Sequence, residues 1–220
     1  MSSSNLEQAR HNMVEQQVRP WDVLDPKILR ILDETPREAF VPETYRALAY
    51  ADTPIPLGNG HFMMHPIVEG RMLQALDIQP TDNALEIGTG SGYVTACMAQ
   101  LASHVDSIEI DPSLSETAAA KLQQQNIYNV SLSVGDGVKD FDETKKYDVI
   151  CLTGSLVTML EQYKNALTPG GRLFVILGEE PIMQAHLFTR TGEQAWADQI
   201  LFDHVVKALV HGEKPRQFVF

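Results

Sequence analysis

Glu86-Ile87-Gly88-Thr89-Gly90-Ser91-Gly92 decides how this chain reads. An apolar run at 84–87 leads into it, and a helix-forming stretch at 95–101 follows. The order is strand, glycine turn, helix. Three glycines in five residues let the backbone bend tightly and approach a ligand with no Cβ in the way. The helix behind them points free N–H groups at whatever sits in the turn. The segment therefore reads as a cofactor cradle, the alternative being a tight turn with no ligand.

Spacing argues against a dinucleotide. That fingerprint is G-x-G-x-x-G after a strand. Here the third glycine comes one residue early, at Gly92, and Tyr93 stands where the dinucleotide glycine belongs. Glu86 lies at the strand end, two residues before Gly88. A carboxylate there suits a cationic or amine-bearing ligand better than a pyrophosphate, which it would repel.

Acidic residues recur farther along. A second apolar segment at 105–110 carries Glu109, with Asp111 just beyond it. Glu109 falls 17 residues after Gly92, near the spacing at which a strand-end carboxylate accepts both ribose hydroxyls. Asp111-Pro112 instead reads as an N-cap followed by a first-turn proline. Ribose is assigned to Glu109 and the cap to Asp111. A third strand, 130–134, ends in Gly135-Asp136-Gly137. Asp136 could accept from an adenine amino group or serve as an ordinary turn residue. Ligands of open α/β sheets bind at such carboxyl ends.

From residue 83 onward strands and helices alternate. Strands are expected at 84–88, 105–110, 130–134, 147–152 and 172–177, and helices at 92–102, 112–125 and 157–167. That pattern implies a mostly parallel sheet with helices on both faces. Alternating apolar segments around Gly192, within 185–209, suggest a closing antiparallel hairpin. Residues 1–80 read as a helical and irregular cap on the α/β core of 81–220. Asp25-Pro26 starts a helix there, with Leu24, Ile28, Ile31 and Leu32 on one face. Two prolines and two glycines exclude a helix over 53–60, and helical spacing resumes at 67–76. Lys214 to Phe220 reads as a final strand.

Composition narrows the partners. The chain has 220 residues, 44% of them hydrophobic, and a net charge of -12. That charge argues against a nucleic-acid backbone. No run of 18 apolar residues marks a membrane span, and Met1-Ser2-Ser3-Ser4-Asn5 lacks a signal-peptide core. A cytoplasmic monomer is expected. Cys97 and Cys151 read as buried apolar groups, too few for a disulfide framework or a metal site.

E-x-G-x-G-x-G is the pattern of S-adenosylmethionine (AdoMet) methyltransferases. Over about 13–178 the chain resembles the protein-L-isoaspartate O-methyltransferase family. Pro36-Arg37-Glu38-Ala39-Phe40-Val41-Pro42 looks like that family's PREKFV entry. Leu85 to Tyr93 is close to its AdoMet signature. Gly135-Asp136-Gly137, Tyr147-Asp148-Val149-Ile150 and Leu167-Thr168-Pro169-Gly170-Gly171-Arg172-Leu173 resemble its later motifs, in order and spacing.

The resemblance implies a doubly wound, mostly parallel seven-stranded Rossmann-like sheet with a helical N-terminal cap. It implies transfer of a methyl group from AdoMet to the free α-carboxylate of isoaspartyl residues in damaged proteins, leaving S-adenosyl-L-homocysteine. The ester then collapses to a succinimide that reopens partly as aspartate. By position, Gly88, Gly90 and Gly92 with Glu86 would take the methionine portion, Glu109 the ribose, and Asp136 with Gly137 the adenine.

One loop departs from the pattern. The family reads G-x-T-I-S-x-P where this chain has Gly60-His61-Phe62-Met63-Met64-His65-Pro66. The threonine is Phe62 and the serine Met64. Methionine donates no hydrogen bond. An acceptor carboxylate left unpaired there would lose about 1–3 kcal/mol, roughly one to two decades in rate. His61 or His65, when protonated, could replace the hydroxyls. Phe62, Met63 and Met64 could instead be core, or the wall of a pocket for another acceptor. Ser155 could offer a further hydroxyl or be a plain loop residue. The alternatives to isoaspartyl repair are a methyltransferase with a different acceptor and a non-catalytic AdoMet-binding regulator.

Overall fold

A computed structural model describes residues 3–212. The N-terminal region starts with α1 (Ser3–Met13), whose helical path continues with altered pitch to Trp21. Next come α2 (Pro26–Glu34) and α3 (Arg37–Phe40). Asp25 caps α2 by accepting from Lys27 N at 2.8 Å, and Pro26 occupies the first helical turn. Ile28, Ile31 and Leu32 are buried, but Leu24 is 63% exposed. Leu24 precedes the cap, so the helical period does not reach back to it.

The stretch 53–60 is non-helical, as expected, and its continuation forms a hairpin: β1 (Ile55–Gly58) and β2 (His61–Met63) pair antiparallel. Asn59 and Gly60 make the two-residue loop with φ of +51° and +80°. Both central residues of that tight hairpin turn need positive φ, and Asn-Gly is the dipeptide that tolerates it best.

The remaining elements are α4 (Pro66–Leu76), β3 (Asn83–Ile87), α5 (Tyr93–Ala99), β4 (His104–Glu109), α6 (Pro112–Gln124), β5 (Val130–Val134), β6 (Tyr147–Leu156), α7 (Glu161–Asn165), β7 (Leu167–Glu179), β8 (Ile182–Gly192) and β9 (Ala195–Asp203). The main sheet has seven strands in the order β5-β4-β3-β6-β7-β8-β9. β3 to β7 are parallel, while β8 and β9 close the sheet as the antiparallel hairpin expected around Gly192.

Two expectations need correction. Residues 157–167 form no continuous helix: β6 runs on to Leu156 and α7 spans Glu161–Asn165. Backbone bonds Ser155 N to Lys207 O and Leu209 N to Ser155 O extend the strand by pairing it with residues far ahead in sequence. Ser155 is therefore neither a loop residue nor available to a substrate. It is fully buried, and its Oγ donates to Val206 O at 3.2 Å. The segment Lys214 to Phe220 lies outside the described residues.

Side chains alternate across the sheet with the strand period of two. Ala84, Val149, Cys151 and Phe174 face a core that includes Met13, Val18, Ile28 and Met72. Leu85, Ile87, Ile150, Leu152 and Leu173 face a second core around Tyr163. Cys97 and Cys151 are free and buried. No described helix is long and apolar enough to cross a membrane. Among the described residues no cluster of His, Cys, Asp and Glu could hold a metal ion.

Candidate active site

The chain leaves β3 toward β4 and β5 on one side, then returns to β6 on the other. That reversal opens a crevice beyond the carboxyl ends of β3 and β6. A cleft of about 310 Å³ occupies it. Gly88, Gly90, Glu109, Asp136, Gly137 and Thr153 line its floor. β2 and the loop from it to α4, with His61, Phe62, Met63, Met64 and His65, form one wall, and the strap of residues 205–210 forms another.

Gly88 sits at the crossing itself. Its φ is +96°, and a Cβ there would overlap Thr153 Oγ1. Thr153 Oγ1 in turn lies 3.0 Å from Ile87 O. Gly137 allows a second close approach, since a Cβ on it would meet Ile87 Cγ2 at 2.7 Å. Gly92 ends the turn as the N-cap of α5 and is not among the cleft's lining residues.

Glu109 lies on the cleft floor. It is 3% exposed, Oε2 accepts from Gly90 N at 2.7 Å, and Oε1 accepts from Asp111 N at 3.0 Å. These bonds orient the carboxylate and leave lone pairs for a ligand. Asp111 caps α6 through Ser113 N at 2.8 Å, as its Asp-Pro pair implies. Bonds from Ser113 and from Asn59, which also ties the hairpin loop down, hold its carboxyl well below the usual range.

Glu86 is not the open carboxylate at the cradle's mouth that its sequence position suggests. It is fully buried beneath the glycine turn. Register places Ser107 beside it, and Oε2 accepts from Ser107 Oγ at 2.6 Å and Thr95 Oγ1 at 2.5 Å. Oε1 has no partner. Burial pushes the carboxyl up to about 8, against the two hydroxyls, with Glu109 adding to the rise. Glu86 also borders a small hollow of about 30 Å³ shared with Met63, Met64, Glu69 and Tyr93.

This raised pKa has a testable consequence. A carboxyl whose folded pKa lies above its unfolded value stabilises the fold below the unfolded pKa, and that contribution is lost as pH rises through about 8. Thermal unfolding from about pH 5 to about pH 9 should show the ligand-free protein losing stability up to about pH 8 and levelling off above it. Glu86→Gln should flatten that slope, and equal slopes would contradict it.

Asp136 plays the turn role in part. Oδ1 accepts from Val138 N at 3.0 Å and Lys139 N at 3.1 Å. Oδ2 lies 2.6 Å from His211 Nδ1. Burial works against the charge, but the amides and His211 hold the carboxyl below its usual range. Its position on the cleft floor beside Gly137 keeps the adenine assignment geometrically open.

The β2–α4 loop is fixed from behind. Arg37 is fully buried, ion-paired with Glu69, and donates from Nη2 to Met64 O at 2.8 Å. Its guanidinium lies 4.8 Å from the Tyr93 ring centroid. Burial raises Glu69 to about 7 although Arg37 pulls it down. Met63 and Met64 are buried, and Phe62 is 43% exposed. All three are cleft wall, and the two methionines also join the hydrophobic core. His65 Nδ1 lies 3.3 Å from Asp52 Oδ1, while His61 reaches the cleft with no hydrogen bond among the described residues.

Sequence reasoning missed Thr153, the strap with Leu209 and His211, and the Arg37–Glu69 pair. Only Arg37 had a signal available, as a charged residue inside the quoted Pro36–Pro42 stretch.

The family model for protein-L-isoaspartate(D-aspartate) O-methyltransferase matches residues 8–209. A protein-L-isoaspartate O-methyltransferase of Aliivibrio fischeri is 36% identical over 192 residues, 87% of this chain and 92% of that protein. One from Protochlamydia amoebophila is 40% identical over 166 residues, 76% of this chain and 79% of its own. In fold, a Plasmodium falciparum chain named for the same methyltransferase, solved with S-adenosyl-L-homocysteine, superposes with a TM-score of 0.78. That likeness covers 91% of this chain and 97% of the other at 19% identity. With this glycine turn, these strand-end acids and this match along most of its length, the chain belongs to the protein-L-isoaspartate(D-aspartate) O-methyltransferase family.

Proposed function

We propose that the chain is an AdoMet-dependent O-methyltransferase acting on the free carboxylate of isoaspartyl residues in proteins. The observation that carries this is Glu109, a buried carboxylate aimed by two backbone amides beside a glycine turn at the sheet's switch point. The residues present fit the nucleoside. Gly88 and Gly90 present backbone without side chains to the cleft, and Glu86 keeps an orphan oxygen beneath the turn. Gly88 and Gly90 would border the methionine portion, with Gly92 shaping the turn and Glu86 supporting it from beneath, Glu109 would hold the ribose, and Asp136 with Gly137 the adenine.

When bound, AdoMet supplies an electrophilic methyl group on a sulfonium. The protein's own part is then modest. A carboxylate with a pKa near 4 is already ionised at neutral pH, so no general base is needed. Catalysis rests on aligning acceptor oxygen, methyl carbon and sulfur, with water excluded. Met63, Met64 and Leu57 form an apolar wall suited to that exclusion. The net charge of -12 supports a protein that binds neither nucleic acid nor an anionic membrane. A cytoplasmic monomer completes the reading.

The test is transfer of labelled methyl from AdoMet to an isoaspartyl peptide beside its aspartyl twin. Transfer to the isoaspartyl peptide alone is expected. Met64→Ser restores a donor on the cleft wall and should raise that rate by about tenfold. Transfer to neither peptide, despite tight cofactor binding, would overturn the acceptor assignment.

A further inference from the structure

We propose that His65, oriented by Asp52, is the group that receives the acceptor's carboxylate, as an imidazolium standing in for the missing hydroxyls. The inference rests on the isoaspartyl reading above.

The cleft makes a carboxylate guest expensive. Glu109, Asp136 and Glu180 already line it. Its loop wall offers Phe62, Met63 and Met64, none of which donates a hydrogen bond. A second anion needs a positive donor at that wall.

His65 is built for the task. It precedes α4, its backbone O accepts from Val68 N and Glu69 N, and it is among the residues that line the cleft. The loop just before it is clamped by Arg37 through Met64 O. Nδ1 is directed at Asp52 Oδ1, 3.3 Å away. No described residue hydrogen-bonds Nε2. A histidine that donates from Nδ1 to a carboxylate has Nε2 left for a ligand, and it donates there when protonated.

The neighbour decides which ring carries the proton. His204 meets His65 edge to face with ring centroids 4.8 Å apart. Two adjacent imidazoliums repel, so one site keeps its charge at the other's expense. Burial, and then His65 itself, lower the proton affinity of His204. Asp52 Oδ1 lies 3.3 Å from His65 Nδ1, so the carboxylate that favours a charged ring stands at His65. The other charged groups around it are accounted for. Glu69 on α4 is paired with Arg37. His61, Glu180 and Lys207 stand elsewhere on the cleft lining. His61 has no carboxylate partner to orient it, and so lacks the pre-organisation of His65.

Two consequences separate this role from a structural one. First, the acceptor loses its negative charge as the methyl arrives, so an imidazolium grips the ground state more tightly than the transition state. His65→Gln should therefore act mainly on KM for the peptide, raising it about tenfold with a much smaller effect on kcat. Second, kcat/KM for the wild type should fall with rising pH as the imidazolium is lost. His65→Gln should remove that fall, and Asp52→Asn, which frees the ring to turn, should raise KM in the same direction as His65→Gln.

The experiment uses the full chain saturated with S-adenosyl-L-homocysteine. Imidazole nitrogen resonances are followed during titration with an isoaspartyl peptide, alongside steady-state kinetics of wild type, His65→Gln and Asp52→Asn. The peptide should move the His65 Nε2 resonance and raise its midpoint, with the KM effect above. If the peptide is methylated while the His65 signal stays put and kcat/KM is flat or rises with pH, the proposal fails and isoaspartyl methylation stands. If the nucleoside binds but the peptide is neither bound nor methylated, both fail together.

Discussion

Replacing Gly88 with valine should abolish cofactor binding, lowering affinity for S-adenosyl-L-homocysteine by more than about a hundredfold. Two independent obstacles act at this residue. Its φ of +96° lies where a β-branched side chain is a steric outlier. A Cβ would also run into Thr153 Oγ1 and come within 3.3 Å of Leu209 Cδ2. Neither neighbour can simply withdraw. Thr153 Oγ1 sits 3.0 Å from Ile87 O, and the Leu209 amide donates to Ser155 O at 3.0 Å. The turn must therefore move, and Gly90 N, which orients Glu109, moves with it. Calorimetry measures the loss, and circular dichroism checks that the sheet persists. Affinity within threefold of the wild type would contradict the account of the cradle.

Replacing Arg37 with methionine should destabilise the fold by about 3–5 kcal/mol. Arg37 and Glu69 are both buried and paired, so removing the cation leaves a carboxyl with no counter-charge. Glu69 already stands at about 7 with Arg37 present, held up by burial. Without the arginine its pKa rises further. Because that pKa exceeds the unfolded value, the deficit grows as pH rises past the unfolded carboxylate range. Met64 O loses its donor as well. Urea denaturation reads the cost, and the double variant Arg37→Met with Glu69→Leu should recover much of it, since an apolar pair of similar volume replaces a buried ion pair with little penalty. A single-variant loss below about 1 kcal/mol would show that the pair is not what holds this loop.

The parts legible in the sequence were those written in local chemistry. Glycines at 88, 90 and 92 announce a turn because few other residues accept such backbone angles, and Asp25-Pro26 and Asp111-Pro112 announce helix starts. Glu109 followed from strand-to-strand spacing alone. What escaped was written in distant pairings. The strap reaches β6 through backbone bonds between Ser155, Lys207 and Leu209, which leave no trace in side-chain periodicity. The same pairing turned the expected loop around Ser155 into strand. Asn59-Gly60 did carry a hairpin signal, but Pro54 and Pro56 around it spoke more loudly for irregular chain. Arg37 was opaque for another reason: a charged residue reads as surface until its buried partner is known. Glu86 was placed in the right strand and the wrong environment, since only the β3–β4 register and the packing of α5 reveal that Ser107 and Thr95 close over it.

The central claim is that a sulfonium nucleoside lodges where β3, β4 and β6 end. Calorimetric titration of the wild-type chain with S-adenosyl-L-homocysteine, run beside Gly88→Val, tests it most directly. One equivalent should bind to the wild type with heat that the valine variant lacks. No heat with either protein, or the same heat with both, would contradict it.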